Sequence, residues 1–334
     1  MSVFPCLVST IGSTYAEEDY RIIDRMLKEG INYFRVNFAK YIEEDKLVER
    51  TDFFRLMKLR YGNDIKIMID LAFPRKKPRL FFDCDFIDVN KDDCLLISSC
   101  TSKQIPGICF ADIPSIGIIT KKDQIIPFDD GKASFKVIDI CDSDTISIQV
   151  DRSIRLYNRK SLYLNVLNRV NILSSSYIKL IKEINPNVVA FSFVENSYDI
   201  ISCINNIDMP NVEVISKIET PAGVNSISEI ADFSDIMLGR GDLCLYADYS
   251  ALFQIQKKVA KETKLKKKKL YIATGILQSL LYSAIPSQSD IIDLTVLFSL
   301  HPDGLIFNSG LLDVHLGKVL DVLHRIYSKI SDNI

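Results

Sequence analysis

Apolar residues gather along this chain in short continuous runs, and amphipathic stretches separate them. The first run covers residues 6–11 and is closed by Gly12. A helical stretch follows over residues 16–29, with Ile22, Ile23, Met26 and Leu27 on one face and Gly30 at its end. Glycine stops a helix there because it takes the left-handed cap without a Cβ penalty. Seven further apolar runs lie at residues 32–38, 66–71, 188–194, 213–219, 235–239, 270–274 and 304–309, with helical patterns at 43–61, 178–184, 251–263 and 316–330. Unbroken apolar runs mark parallel strands buried on both faces. Eight strand–helix units close a barrel, so the pattern predicts an α/β fold, a (β/α)8 TIM barrel. An open doubly wound sheet would bring a GxGxxG turn after its first strand, and the sequence has none.

Residues 74–164 break this rhythm. They carry turn punctuation at Pro106-Gly107 and Asp129-Asp130-Gly131, short β-like runs at 117–120, 134–140 and 145–150, and no helical period. The stretch predicts a small all-β domain inserted after strand 3, where insertions can act as lids. The expected organisation is therefore 1–73 as the first part of the barrel, 74–164 as the lid and 165–334 as the second part of the barrel.

Composition narrows the function classes. The 334 residues are 47% hydrophobic and 25% charged, as in an ordinary soluble globular protein. Lys plus Arg number 41 against 43 Asp plus Glu, a net charge of −2, so no basic field points to nucleic acid. The basic run at 264–269 reads as a solvated helix end or loop. No stretch approaches the roughly 20 apolar residues of a membrane span, and the N-terminus lacks the pattern of a signal peptide. Eight scattered cysteines without a CxxC pair fit reduced thiols in a cytoplasmic protein better than zinc or dithiol chemistry. The three histidines (His301, His315, His324) cluster near the C-terminus without partners in the pattern.

Chemistry is expected at the C-terminal ends of barrel strands. Those ends read Arg35-Val36-Asn37, Asp70, Lys217-Ile218-Glu219, Arg240-Gly241-Asp242, Ala273-Thr274 and Asn308-Ser309. Glu219 and Asp242 are hard oxygen donors suited to Mg2+. Lys217 and Arg35 offer positive charge to a phosphoryl group or an enolate oxygen, and Thr274 offers a hydroxyl for proton relay. The alternative is that Lys217–Glu219 and Arg240–Asp242 are structural i, i+2 pairs.

At these residues the chain resembles the pyruvate kinase family. The resemblance rests on Val214-Ile-Ser-Lys-Ile-Glu219, Ala222-Gly-Val, Ser234-Asp-Ile-Met, Gly239-Arg-Gly-Asp-Leu243, Gly30-Ile-Asn-Tyr-Phe-Arg-Val-Asn-Phe38, Ile69-Asp70, Ala273-Thr274, Ser9-Thr-Ile-Gly12 and Asp129-Asp-Gly131. It implies phosphoryl transfer between phosphoenolpyruvate and ADP in the cytoplasm, as in glycolysis, with Mg2+ (or Mn2+) on Glu219 and Asp242. Lys217, Arg35 and Thr274 would be catalytic, with Arg240, Gly241 and Ala273 lining the substrate, and Asn37 and Asp70 would be ligands of K+. Departures cluster around the K+ and nucleotide sides. Ala39-Lys40 stand where the family has Ser-His, Leu71-Ala72-Phe73-Pro74 where it has Thr-Lys-Gly-Pro, and Ser309-Gly-Leu-Leu312 where it has Ser-Gly-Glu-Thr. Two of four K+ ligands are thus apolar, which argues against a K+ site. The resemblance also implies a missing C-terminal regulatory domain, and it leaves the homo-oligomeric state open. Two other expectations stand beside phosphotransfer: a different Mg2+-enolate enzyme, a lyase or decarboxylase, and a non-catalytic paralogue that binds phosphoenolpyruvate or oxalate.

Overall fold

The computed structural model describes residues 4–11, 17–38, 47–101, 108–170, 173–308 and 310–331. Eight parallel strands close into a barrel. They are β1 (Cys6–Ile11), β2 (Tyr33–Phe38), β3 (Lys66–Lys76), β4 (Val188–Ser192), β5 (Glu213–Ile218), β6 (Asp235–Gly239), β7 (Leu270–Ala273) and β8 (Gly304–Phe307). Each pairs with its neighbours in chain order, and β8 returns to β1 to complete the ring. The (β/α)8 expectation is borne out. Helices Glu17–Lys28, Leu47–Tyr61, Ser175–Ile184, Ser197–Ile207, Leu252–Leu265, Gln288–Ser299 and Leu311–Ser331 lie between or after the strands. Among the described residues, no helix is long and apolar enough to cross a membrane.

The strands are apolar on both faces for a physical reason. In β2, for instance, Phe34, Val36 and Phe38 alternate with Tyr33 and Arg35, and all five are buried. Residues two apart share a face. Tyr33 belongs to one packed cluster with Val8, Met68, Val188, Ala190, Ile215, Met237, Tyr271, Ala273 and Ile306, to which all eight strands contribute. Layers of this kind plug a barrel rather than leave a pore. One period further along the same strand faces stand Thr10, Arg35, Asp70, Ser192, Lys217 and Gly239. The barrel interior therefore changes from apolar to charged towards the C-terminal ends of its strands.

Residues Arg75–Arg169 with Cys244–Tyr249 form a second compact unit. Its main sheet has seven strands, with Thr145–Val150 paired to Cys94–Ser98 on one side and Ala133–Asp142 on the other. It has its own core, in which Ile97, Phe128, Phe135, Ile146 and Ile148 are buried. The β-like run at 117–120 is corrected here: Ile116–Ile119 is a single helical turn. β-branched composition is overridden by tertiary contact. The Gly117 N–H bonds to Ser143 O, and a Cβ on Gly117 would lie 2.0 Å from Asp142 O, so the turn is pressed against a hairpin end that only glycine can approach. The basic run straddles a helix end: the helix stops at Leu265, and beyond it Lys266 pairs with Asp232 at 2.6 Å and Lys269 with Glu213 at 3.5 Å. Gly12, Ala39, Lys40, Pro106, Gly107, Ser309 and the start of the helical stretch at 43–46 lie outside the described residues.

Candidate active site

Lys217 is the centre of the charged layer. It is 6% exposed and sits on β5 two residues after the core residue Ile215. Its ammonium lies 3.1 Å from Asp70 Oδ1 and 3.1 Å from Glu219 Oε1, and donates to Ser192 Oγ at 2.9 Å. Those three partners account for the three N–H donors of an ammonium. Burial works to lower the Lys217 pKa, but the negative charges of Asp70 and Glu219 outweigh it and hold the side chain protonated above its usual range.

Asp70, fully buried on β3, is shared by two cations. The Arg35 Nε and Nη2 donate to its Oδ2 at 2.9 and 2.6 Å, and Ser192 Oγ approaches Oδ1 at 3.3 Å. Burial alone would raise the Asp70 carboxyl; Lys217 and Arg35 overcome it and keep the group below the usual carboxylate range. Arg35 Nη1 also donates to Thr10 Oγ1 at 3.1 Å, and Thr10 in turn donates to Phe307 O at 2.7 Å. The network therefore stitches β2 to β3, β1 and β8. Asn37 sits beside Asp70 in the strand register and is half-buried.

Glu219 follows the last residue of β5. Its Oε2 accepts from the Phe193 N–H at 3.0 Å. Phe193 presents that N–H from a left-handed conformation, φ +53°, which a bulky residue adopts only when its surroundings impose it. Burial pushes the Glu219 carboxyl up to about 7, opposed by Lys217 and helped by the negative charges of Asp242 and Asp70. Asp242 stands half-buried in the first turn of the helix Arg240–Tyr246, where a helix N-terminus favours negative charge.

Two glycines make the packing feasible. A Cβ on Gly239 would lie 2.6 Å from Glu219 Cγ, and one on Gly241 would lie 2.8 Å from Thr274 Cγ2. Thr274 leaves β7 at φ +75°, an unusual value for a β-branched residue, and Gly275 follows at φ +79°. Arg240 donates from Nε and Nη2 to Thr274 O at 3.1 and 2.7 Å, and from Nη1 and Nη2 to Asp293 at 2.6 and 2.9 Å. All four bonds go to the protein. Ala273 turns into the apolar plug. Sequence reasoning had missed Thr10, Ser192, Phe193 and Asp293. Thr10 and Ser192 carried a readable signal, since each stands two residues after a core position on its strand. Phe193 and Asp293 carried none, because their part depends on backbone conformation and on contact with a distant helix.

The geometry concentrates Arg35, Asp70, Ser192, Lys217 and Glu219 in one buried ion network, with Asp242 electrostatically linked to it. Glu219 and Asp242 add two hard oxygen donors beside the Arg35–Asp70–Lys217 cluster, the kind of group that could hold a further cation. Residues 5–298 match the family model described as pyruvate kinase, barrel domain. Among curated relatives, the pyruvate kinase of Thermotoga maritima is 26% identical over 301 residues, covering 86% of this chain and 62% of that protein. The pyruvate kinases of Methylorubrum extorquens and Thermococcus litoralis are 25% and 26% identical, again over 86% of this chain and over 60% and 61% of their own lengths. The chain thus spans about three-fifths of the relatives it matches. A family match over residues 5–298, which takes in β1 to β7 and the residues between them, means that this chain belongs to the pyruvate kinase family.

Proposed function

We propose that the chain is a Mg2+-dependent phosphotransferase that moves a phosphoryl group between phosphoenolpyruvate and a nucleoside diphosphate. The observation that carries this reading is Lys217, buried and protonated among Asp70, Glu219 and Ser192 beside Arg35. Burying five charged or polar groups this way is costly unless something uses them. The donor set fits Mg2+. Glu219 and Asp242 are two hard oxygen donors in electrostatic reach of each other, and Mg2+ is commonly held by one or two carboxylates with water and substrate oxygens completing its shell. Glu219 and Asp242 would hold the ion, which when bound would neutralise charge developing on phosphoryl and enolate oxygens.

Lys217 and Arg35 present positive charge to the phosphoryl group as it leaves the enol oxygen of phosphoenolpyruvate and joins the terminal phosphate of the acceptor. The enolate left behind takes a proton at its methylene carbon and becomes pyruvate. Thr274, in the turn after β7, is the group we assign to that proton's path. Ala39 and Leu71 stand where the family has two of its K+ ligands, which supports turnover without K+.

The test is a coupled assay with phosphoenolpyruvate, ADP and Mg2+, with and without K+, on the wild type and Lys217→Ala. Turnover indifferent to K+ and reduced about 100-fold or more in the variant is expected, the scale of losing one preorganised electrostatic group. A metal-loaded wild type that binds oxalate yet makes no ATP, or other nucleoside triphosphate from its diphosphate, would overturn the reading and leave an enolate lyase or a binding protein in its place.

A further inference from the structure

Thr274 departs from the barrel in a conformation that its own chemistry disfavours. Its φ is +75°, and it is β-branched. The same turn holds two more left-handed residues, Gly275 at +79° and Leu277 at +52°. Such a turn persists only when its neighbours over-determine it. The neighbour that does so is Arg240. Its Nε and Nη2 both donate to the Thr274 carbonyl, at 3.1 and 2.7 Å, across 34 residues of chain. Arg240 is itself 8% exposed and is fixed by a fork-to-fork pair with Asp293, Nη1 to Oδ1 at 2.6 Å and Nη2 to Oδ2 at 2.9 Å. A bidentate pair fixes the plane of the guanidinium as well as its position. Asp293 comes from the helix Gln288–Ser299, outside the ring of strand-end residues. Gly241 completes the enclosure, since a Cβ there would press on the Thr274 methyl.

We propose that Asp293 is a positioning residue: it orients the Arg240 guanidinium, which in turn holds the Thr274 backbone left-handed and so fixes where the Thr274 hydroxyl points. Arg240 then serves the site through the protein rather than by touching substrate. The inference deepens the phosphotransfer reading and rests on it for its catalytic consequence, but the conformational claim stands by itself. A purely structural ion pair would lower stability when broken and leave Thr274 where it is. A positioning pair moves Thr274 even in a variant that remains folded.

The experiment follows Thr274 directly. Protein labelled with methyl-13C threonine is examined by NMR, with the Thr274 signal assigned from its loss in Thr274→Ser. Asp293→Asn keeps the shape of the side chain and removes its charge, Asp293→Ala removes both, and Asp293→Glu keeps the charge. The Thr274 methyl signal is expected to shift or split in the Asn and Ala variants and to return towards its wild-type position in the Glu variant. In the coupled assay, kcat is expected to fall about 100-fold with KM for phosphoenolpyruvate within about threefold, the pattern of a misplaced group rather than a lost binding contact. An unchanged Thr274 signal in a folded Asp293→Asn or Asp293→Ala protein overturns the proposal, as does a raised KM at constant kcat. If the wild type turns over no phosphoenolpyruvate, the phosphotransfer reading fails alone, and the methyl signal still decides whether Asp293 positions Thr274.

Discussion

Met237 shows what the charged layer requires of the residues beneath it. It is fully buried on β6 within the apolar plug, one period below Gly239 and the Glu219 carboxylate that fills the space over that glycine. An apolar floor keeps water from the ions and so strengthens their mutual attraction. Met237→Ala is expected to cost about 2–5 kcal/mol of stability, the range for emptying a packed core site, measurable by denaturant unfolding. At this scale much of the site was legible. Arg35, Asp70, Lys217 and Glu219 stand out as charges at the ends of apolar runs, and the structure joins all four in one network. Arg240 stood out for the same reason, yet its bonds run to Asp293 and Thr274 O. Spacing tells that a charge lies at a strand end; it does not tell which distant helix will meet it.

The elements owe their limits to local chemistry. The helix Gln288–Ser299 begins at Ser287, whose hydroxyl accepts from the Asp290 N–H at 3.1 Å. Removing that acceptor in Ser287→Ala leaves an end donor without its partner and is expected to cost about 1 kcal/mol, seen as a lower denaturant midpoint at unchanged slope. Strand positions were readable because buried parallel strands leave unbroken apolar runs: β1 and β6 occupy the expected residues, and β4, β5, β7 and β8 end one or two residues early. β3 runs on to Lys76, past the expected 71, because it pairs beyond the barrel with Asn168–Arg169. Long-range pairing of that sort leaves no mark on the run itself. The helical turn Ile116–Ile119 was hidden for a similar reason, since its conformation is set by the hairpin against which Gly117 lies.

Across the whole molecule, charge is placed at both ends of the barrel strands, with different consequences. At the start of β5, Glu213 lies 2.9 Å from Lys66 and 3.5 Å from Lys269. Partial burial works to raise its pKa, but the hydrogen bond and charge of Lys66, aided by Lys269, prevail and hold it below the usual carboxylate range. A carboxyl depressed by folding stabilises above its unfolded pKa of about 4.3 and loses that contribution as pH falls through the folded value. Glu213→Gln is therefore expected to lower the melting temperature at pH 7, and the gap to wild type should close as the pH is taken below about 4. The network around Lys217 differs in kind. Exchanging a buried ionic group for well-packed apolar residues is often neutral or even stabilising, so a barrel inherited only as scaffold could drift towards oil at Asp70, Lys217 and Glu219 without penalty. Gly239 and Gly241 could not drift as freely while Glu219 and Thr274 keep their places, since any side chain would collide with them. Glycines of that kind are held by their neighbours, whereas under the proposed phosphotransfer the buried ions are held by use.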